Sequence, residues 1–118
     1  TSITDAYAVI KNIVHTDKKI CVIINKAESH KEGHDVFHKV NAATKRFLNL
    51  ELESLGIILD DVHVKKAVRQ QKPFFLSAPN AIASKSIELI AYNLENNSRY
   101  IQDTKPFNVF IKRLFSSI

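Results

Sequence analysis

His30, His34 and His38 recur every four residues, a spacing that brings imidazoles toward one side of a helix and comes nearest in this chain to a metal-binding pattern. Successive steps of four drift around a helix, and the first and last rings stand about 12 Å apart along its axis. One zinc ion needs all its ligands within about 2 Å, so these histidines are expected on a solvated face. Cys21, the single cysteine, lies inside the apolar run Ile20-Cys21-Val22-Ile23-Ile24 and reads as a buried structural thiol; no disulfide framework is possible. No Ser/His/Asp or Cys/His spacing argues for nucleophilic catalysis. The paired acids Asp60-Asp61 and Glu51 with Glu53 read as caps and surface charges. The only glycines are Gly33 and Gly56, and no G-x-x-x-x-G-K-[ST] phosphate loop occurs, so this chain alone is not expected to hydrolyse a nucleotide.

The chemistry that remains is binding, and its sharpest pattern closes the chain. At 100° per residue Phe107, Phe110, Ile111, Leu114, Phe115 and Ile118 share one helical face, with Asn108, Lys112, Arg113, Ser116 and Ser117 opposite and only Val109 misplaced. Three phenylalanines in nine residues, adjacent basic residues and a polar spacer over 95–105 favour a helix lying on a membrane surface over one packed on its own domain. Charge agrees. The formal net charge of +5 is uneven: residues 1–98 hold 13 Lys/Arg against 11 Asp/Glu, whereas 99–118 hold Arg99, Lys105, Lys112 and Arg113 against Asp103 alone. A weakly charged body is a poor footprint for nucleic acid, which is not expected as a partner, while a basic tail suits anionic lipid.

The elements that must carry these residues alternate. Ser2 and Asp5 form a capping-box pattern ahead of a helix with Ile3, Ala6, Tyr7, Ile10, Ile13 and Val14 on one face. Ile20–Ile24 reads as a central strand, buried on both faces and broken by Asn25. A second helix over 31–49 carries Val36, Phe37, Val40, Ala43 and Phe47 inward, and Leu55–Leu59 is the second strand. A short helix follows with Val64, Ala67 and Val68 inside, then an extended stretch from Pro73 to Ser77. The last long helix has Ile82, Ser86, Ile87, Ile90, Ala91 and Leu94 on one side. The alternation predicts an α/β fold with parallel strands. Two parallel strands do not make a self-sufficient sheet, so the chain reads as part of a larger domain whose open edge favours self-association. The expected organisation is a domain part over 1–94, a polar linker over 95–105 and an amphipathic helix over 106–118. No apolar run is long enough to span a bilayer and no secretory signal is evident, which points to the cytosol.

Several stretches, in order and at matching spacing, resemble the FlhG-type flagellar-number regulators of the MinD/ParA family of P-loop ATPases. They are Thr1-Ser2-Ile3-Thr4-Asp5-Ala6-Tyr7-Ala8, Asn25-Lys26-Ala27-Glu28-Ser29, Glu32-Gly33, Arg46-Phe47-Leu48, Leu55-Gly56, and Asp61 leading to Ala67-Val68-Arg69-Gln70-Gln71-Lys72-Pro73-Phe74. Phe110–Phe115 is similar to the membrane-targeting helix that ends MinD. The resemblance implies the C-terminal part of a parallel-sheet P-loop NTPase fold. The lysine loop and magnesium ligands would then lie upstream, so ATP and Mg2+ are expected in the full-length parent and not to bind well to this part alone.

The resemblance also implies a nucleotide-base pocket built from Asn25, Lys26, Asp60 and Asp61. Asn25 matches the asparagine that contacts adenine, or else it merely ends its strand. Lys26 stands where arginine is usual, and Leu59 where a loop-fixing proline is usual before the acids; Asp61 is equally an N-cap of the next helix. The implied partners are a second copy in the ATP-bound parent, an anionic membrane surface and an FlhF-type GTPase. The implied location is cytoplasmic, peripheral on the inner face of the cell membrane. The alternative is a chromosome- or plasmid-partition ATPase part that holds DNA through Lys65, Lys66, Arg69 and Lys72.

Overall fold

A computed structural model describes residues 2–15 and 18–96. All but the first two residues of the linker expected over 95–105, and the whole of the helix expected over 106–118, lie outside these residues. In chain order the elements are α1 (Ser2–Ile13), β1 (Cys21–Ala27), α2 (His30–Leu48), β2 (Glu53–Leu59), α3 (Val62–Arg69), α4 (Phe74–Ser77) and α5 (Ile82–Asn96). β1 and β2 pair in parallel through α2, one βαβ unit. No described helix is long and apolar enough to cross a membrane.

Three layers result. On one face of the sheet Ile10 of α1 and Phe37 and Val40 of α2 pack with Leu52, against Val22 and Ile24. On the other, Ala83, Ile87 and Ile90 of α5 meet Leu55 and Ile58, with Val64 and Phe74 at the side. Two glycines set the spacing of these layers. A Cβ on Gly33 would stand 2.7 Å from Ile57 Cγ2, so α2 sits directly on β2 there. Gly56 has φ 151°, and its Cβ would stand 2.6 Å from Ile90 Cγ1. Leu55 is an extra residue in the ladder, since Val22 pairs with Ser54 and Ile23 with Gly56; Asn93 Nδ2 of α5 donates to the Leu55 carbonyl at 3.2 Å.

The helix ends follow local chemistry. Ser29 Oγ accepts the Glu32 N–H at 3.1 Å, and Glu32 Oε2 accepts the Glu28 N–H at 3.1 Å, capping α2 from both sides. Asn49 closes α2 in the left-handed region at φ 50°, a conformation asparagine tolerates.

Several expectations are corrected. β1 does not end at Asn25 but runs to Ala27, because Asn25 and Lys26 form a second bulge, with Lys26 at φ 57°. β1 is not covered on both faces by the described residues: Ile23, on the face away from α1 and α2, is 43% exposed. Cys21 is half-buried rather than buried. Pro73–Ser77 is not extended, since Pro73 opens a single helical turn in which its carbonyl accepts the Ser77 N–H at 3.2 Å. Val68, Ile82 and Phe47, expected inside, are exposed. Short α3 buries only Ala67, α5 turns Ala83 and Ser84 inward instead, and Thr44 takes the interior place on α2 while Arg46 lies over the Phe47 ring at 5.3 Å. Ser2 is itself helical, and α5 continues through Glu95 and Asn96, two residues into the expected linker.

Candidate functional site

In a parallel sheet the carboxyl ends of neighbouring strands open on the same edge, where α/β proteins hold their ligands. Here that edge carries Asn25 and Lys26 at the end of β1 and Asp60 and Asp61 just past β2. The structure brings all four together: they line one cavity of about 270 Å³, closed by Ile58, Leu59, Val64, Lys65, Phe74 and Ile87. The mouth is polar and charged, and the apolar wall comes from β2, α3, α4 and α5.

Each polar residue is placed by a specific bond. Asn25 Oδ1 accepts the Lys26 N–H at 2.9 Å, which uses one acceptor position of the side chain and stabilises the bulge that lifts Asn25 and Lys26 out of the regular ladder. The Asp60 N–H donates to the Ala27 carbonyl at 2.8 Å, holding the two strand ends side by side. Asp60 is exposed, with Lys65 Nζ 3.8 Å from its Oδ2.

Asp61 is buried, and it is the N-cap of α3. Its Oδ1 accepts the His63 N–H at 2.9 Å and lies 2.7 Å from His63 Nδ1, while its Oδ2 accepts the Ala83 N–H at 3.0 Å from the first turn of α5. The backbone N–H of Ala83 and then that of His63 hold the carboxyl down to about 2, against the opposing effect of burial. Of the two roles open for Asp61 in the sequence, its carboxylate performs the capping one.

The remaining candidates fall elsewhere. Val62, His63, Lys65, Lys66 and Arg69 line a second, open groove of about 460 Å³ along α3, which shares Lys65 with the cavity and which Lys72 does not join. His30, His34 and His38 are all exposed on α2. The paired acids Glu51 and Glu53 meet Lys45 at 3.6 Å and Lys19 respectively. A larger hollow of about 760 Å³ lies between α1 and β1, but its lining is mostly aliphatic, and it meets the candidate residues only where Asn25 and Lys26 border both spaces. Convergent polar groups beside an apolar wall make the smaller cavity the better ligand site. Sequence reasoning missed Phe74 and Ile87 as its walls, because both are ordinary apolar residues whose place depends on how α4 and α5 fold back.

No protein-family model matches the chain. It is similar to the antiactivator FleN of Pseudomonas aeruginosa, 34% identical over 116 residues, which is 97% of this chain and 41% of FleN. It is also similar to the flagellum site-determining protein YlxH of Helicobacter pylori, 35% identical over 92 residues, 77% of this chain and 31% of YlxH. The chain thus spans less than half the length of either relative.

Proposed function

Because this chain belongs to the FlhG-type group of the MinD/ParA family that includes FleN and YlxH, we propose that it supplies the adenine side of the ATP site and the membrane-binding tail of an ATPase regulating flagellar number and placement. The observation that carries this reading is the convergence of Asn25, Lys26 and Asp60 on one cavity at the carboxyl ends of two parallel strands. The cavity suits a flat base: Phe74, Ile87 and Ile58 offer apolar surface, and the Asn25 amide can both donate to and accept from a base edge. Lys26 and Asp60 at the rim are the groups able to meet the ribose or the exocyclic amine. ATP with Mg2+ would bring the triphosphate, whose binding groups belong to other parts of the full-length protein.

The tail completes the cycle. One amphipathic helix with Phe107, Phe110, Ile111, Leu114, Phe115 and Ile118 inserted and Lys112 and Arg113 at the headgroups binds weakly, since each basic residue near an anionic surface contributes about 1 kcal/mol. A dimer formed on ATP binding presents two tails and gains avidity, and hydrolysis releases them. The protein then acts on the inner face of the cell membrane, in concert with an FlhF-type GTPase.

Flotation of the complete protein with anionic liposomes tests the cycle. Binding is expected with ATP and to weaken with ADP; equal binding in both states overturns the switch. Asn25→Ala is expected to weaken ATP binding and, through it, the ATP-dependent part of flotation. Binding to random DNA that falls steeply with salt and is lost with Lys65 and Arg69 would instead support the partition-type reading.

A further inference from the structure

Asp61 has more bonds than a helix cap requires. Capping α3 takes one side-chain oxygen, and Oδ1 provides it to the His63 N–H at 2.9 Å. A serine would do the same. Oδ2 serves no part of α3: it accepts the N–H of Ala83, 22 residues further on and buried in the first turn of α5. Asp61 itself is only 8% exposed, so this bond is made away from water, where leaving either partner unmatched is costly.

The bond joins the two sides of the candidate cavity. Asn25, Lys26, Asp60 and Asp61 form the strand-end side, while Phe74 and Ile87 close it from α4 and α5. The hydrogen bond from Asn93 to Leu55 also holds α5 to β2, but at the far end of the helix, beside the start of the strand. At the cavity end the contacts of α5 with Ile58 and Phe74 are apolar and non-directional, and the Asp61 to Ala83 bond is directional.

We propose that Asp61 is a positioning residue for base recognition: by holding the first turn of α5 against the strand ends, it fixes the distance between the polar rim at Asn25 and the apolar wall at Phe74 and Ile87. This rests on the reading of the cavity as a nucleotide-base site. A base inserted between rim and wall is discriminated only if both meet it together, so a wall free to move loses selectivity among bases and keeps whatever affinity the phosphates supply.

The experiment compares the complete protein with its Asp61→Ser and Asn25→Ala variants, titrated with ATP, GTP and inorganic tripolyphosphate, with thermal unfolding in parallel. Asp61→Ser keeps a cap for α3 and removes the link to Ala83. The expected result is a loss of the preference for ATP over GTP by about fivefold or more, with tripolyphosphate, which has no base, as the internal reference. A lower melting temperature with an unchanged preference overturns the proposal and leaves Asp61 as a cap alone. A different signature marks failure of the base-site reading: no preference in the unaltered protein, or one that Asn25→Ala leaves untouched. Should Asp61→Ser not fold, Asp61→Asn, which keeps the side chain's shape but turns one acceptor into a donor, reads the same preference.

Discussion

At the scale of single residues, the sequence marks Asp61 as a helix cap or a ligand contact, and the fold gives its carboxylate two backbone N–H partners, from His63 and Ala83, with the His63 ring nitrogen 2.7 Å away. Asp61→Ala is expected to cost about 1–2 kcal/mol, the range for loss of an N-cap carboxylate. Because the carboxyl is held down to about 2 in the folded protein, against about 3.9 in an open chain, the ionised form favours folding. The difference in melting temperature between the unaltered protein and its Asp61→Ala variant should be complete above about pH 4 and shrink as pH falls toward 2. A constant difference down to that pH would contradict the assignment. Gly56 offers a second test. With φ 151° and Ile90 Cγ1 2.6 Å from an added Cβ, Gly56→Ala is expected to lower the urea midpoint by an amount equivalent to about 1–3 kcal/mol. Leu55-Gly56 carries the family resemblance in sequence, but the need for glycine is visible only once α5 lies across it.

At the scale of elements, periodicity located both strands and the three longer helices, because each has an apolar face matching its own repeat. It misjudged the edges of those faces. Val68 and Ile82 continue the apolar pattern of their helices yet are 71% and 60% exposed, since neighbouring elements cover only a narrow strip of each. It also ended β1 too early, reading Asn25 as a break where a bulge lets the strand continue to Ala27. The amphipathic pattern of residues 106–118, outside the described residues, predicts a membrane-binding helix. A protein ending at Lys105 should remain in the supernatant with anionic liposomes that pellet the full chain, and added salt should release the latter. Pelleting of both would transfer membrane binding to the body of the protein.

At the scale of the whole molecule, the described residues make one βαβ unit covered by α1 and α2 on one face and by α5 on the other. β1 pairs with β2 along one edge, and Ile23 is exposed beside a large aliphatic hollow. An edge of this kind recruits another strand or another chain. The 118-residue chain is therefore expected to self-associate with rising concentration in sedimentation velocity, and Ile23→Lys, a charge at the edge, should reduce it. Concentration-independent monomers would show that the edge is already protected.

What is local or recurrent was legible in the amino-acid order: the succession of helices and strands, the parallel βαβ class, the capping choice at Asp61, and the family. Even Asn25, Lys26, Asp60 and Asp61 stood out as one group, through the resemblance. That these residues border a common cavity with Phe74 and Ile87 as its wall, and that Asp61 reaches Ala83, emerged only from the packing of the elements. The physical reason is range. Periodicity and capping act over a few residues and are written in neighbouring letters, whereas a cavity and a hydrogen bond across 22 residues depend on how separate faces settle against each other. Many sequences with the same local pattern could satisfy that packing differently.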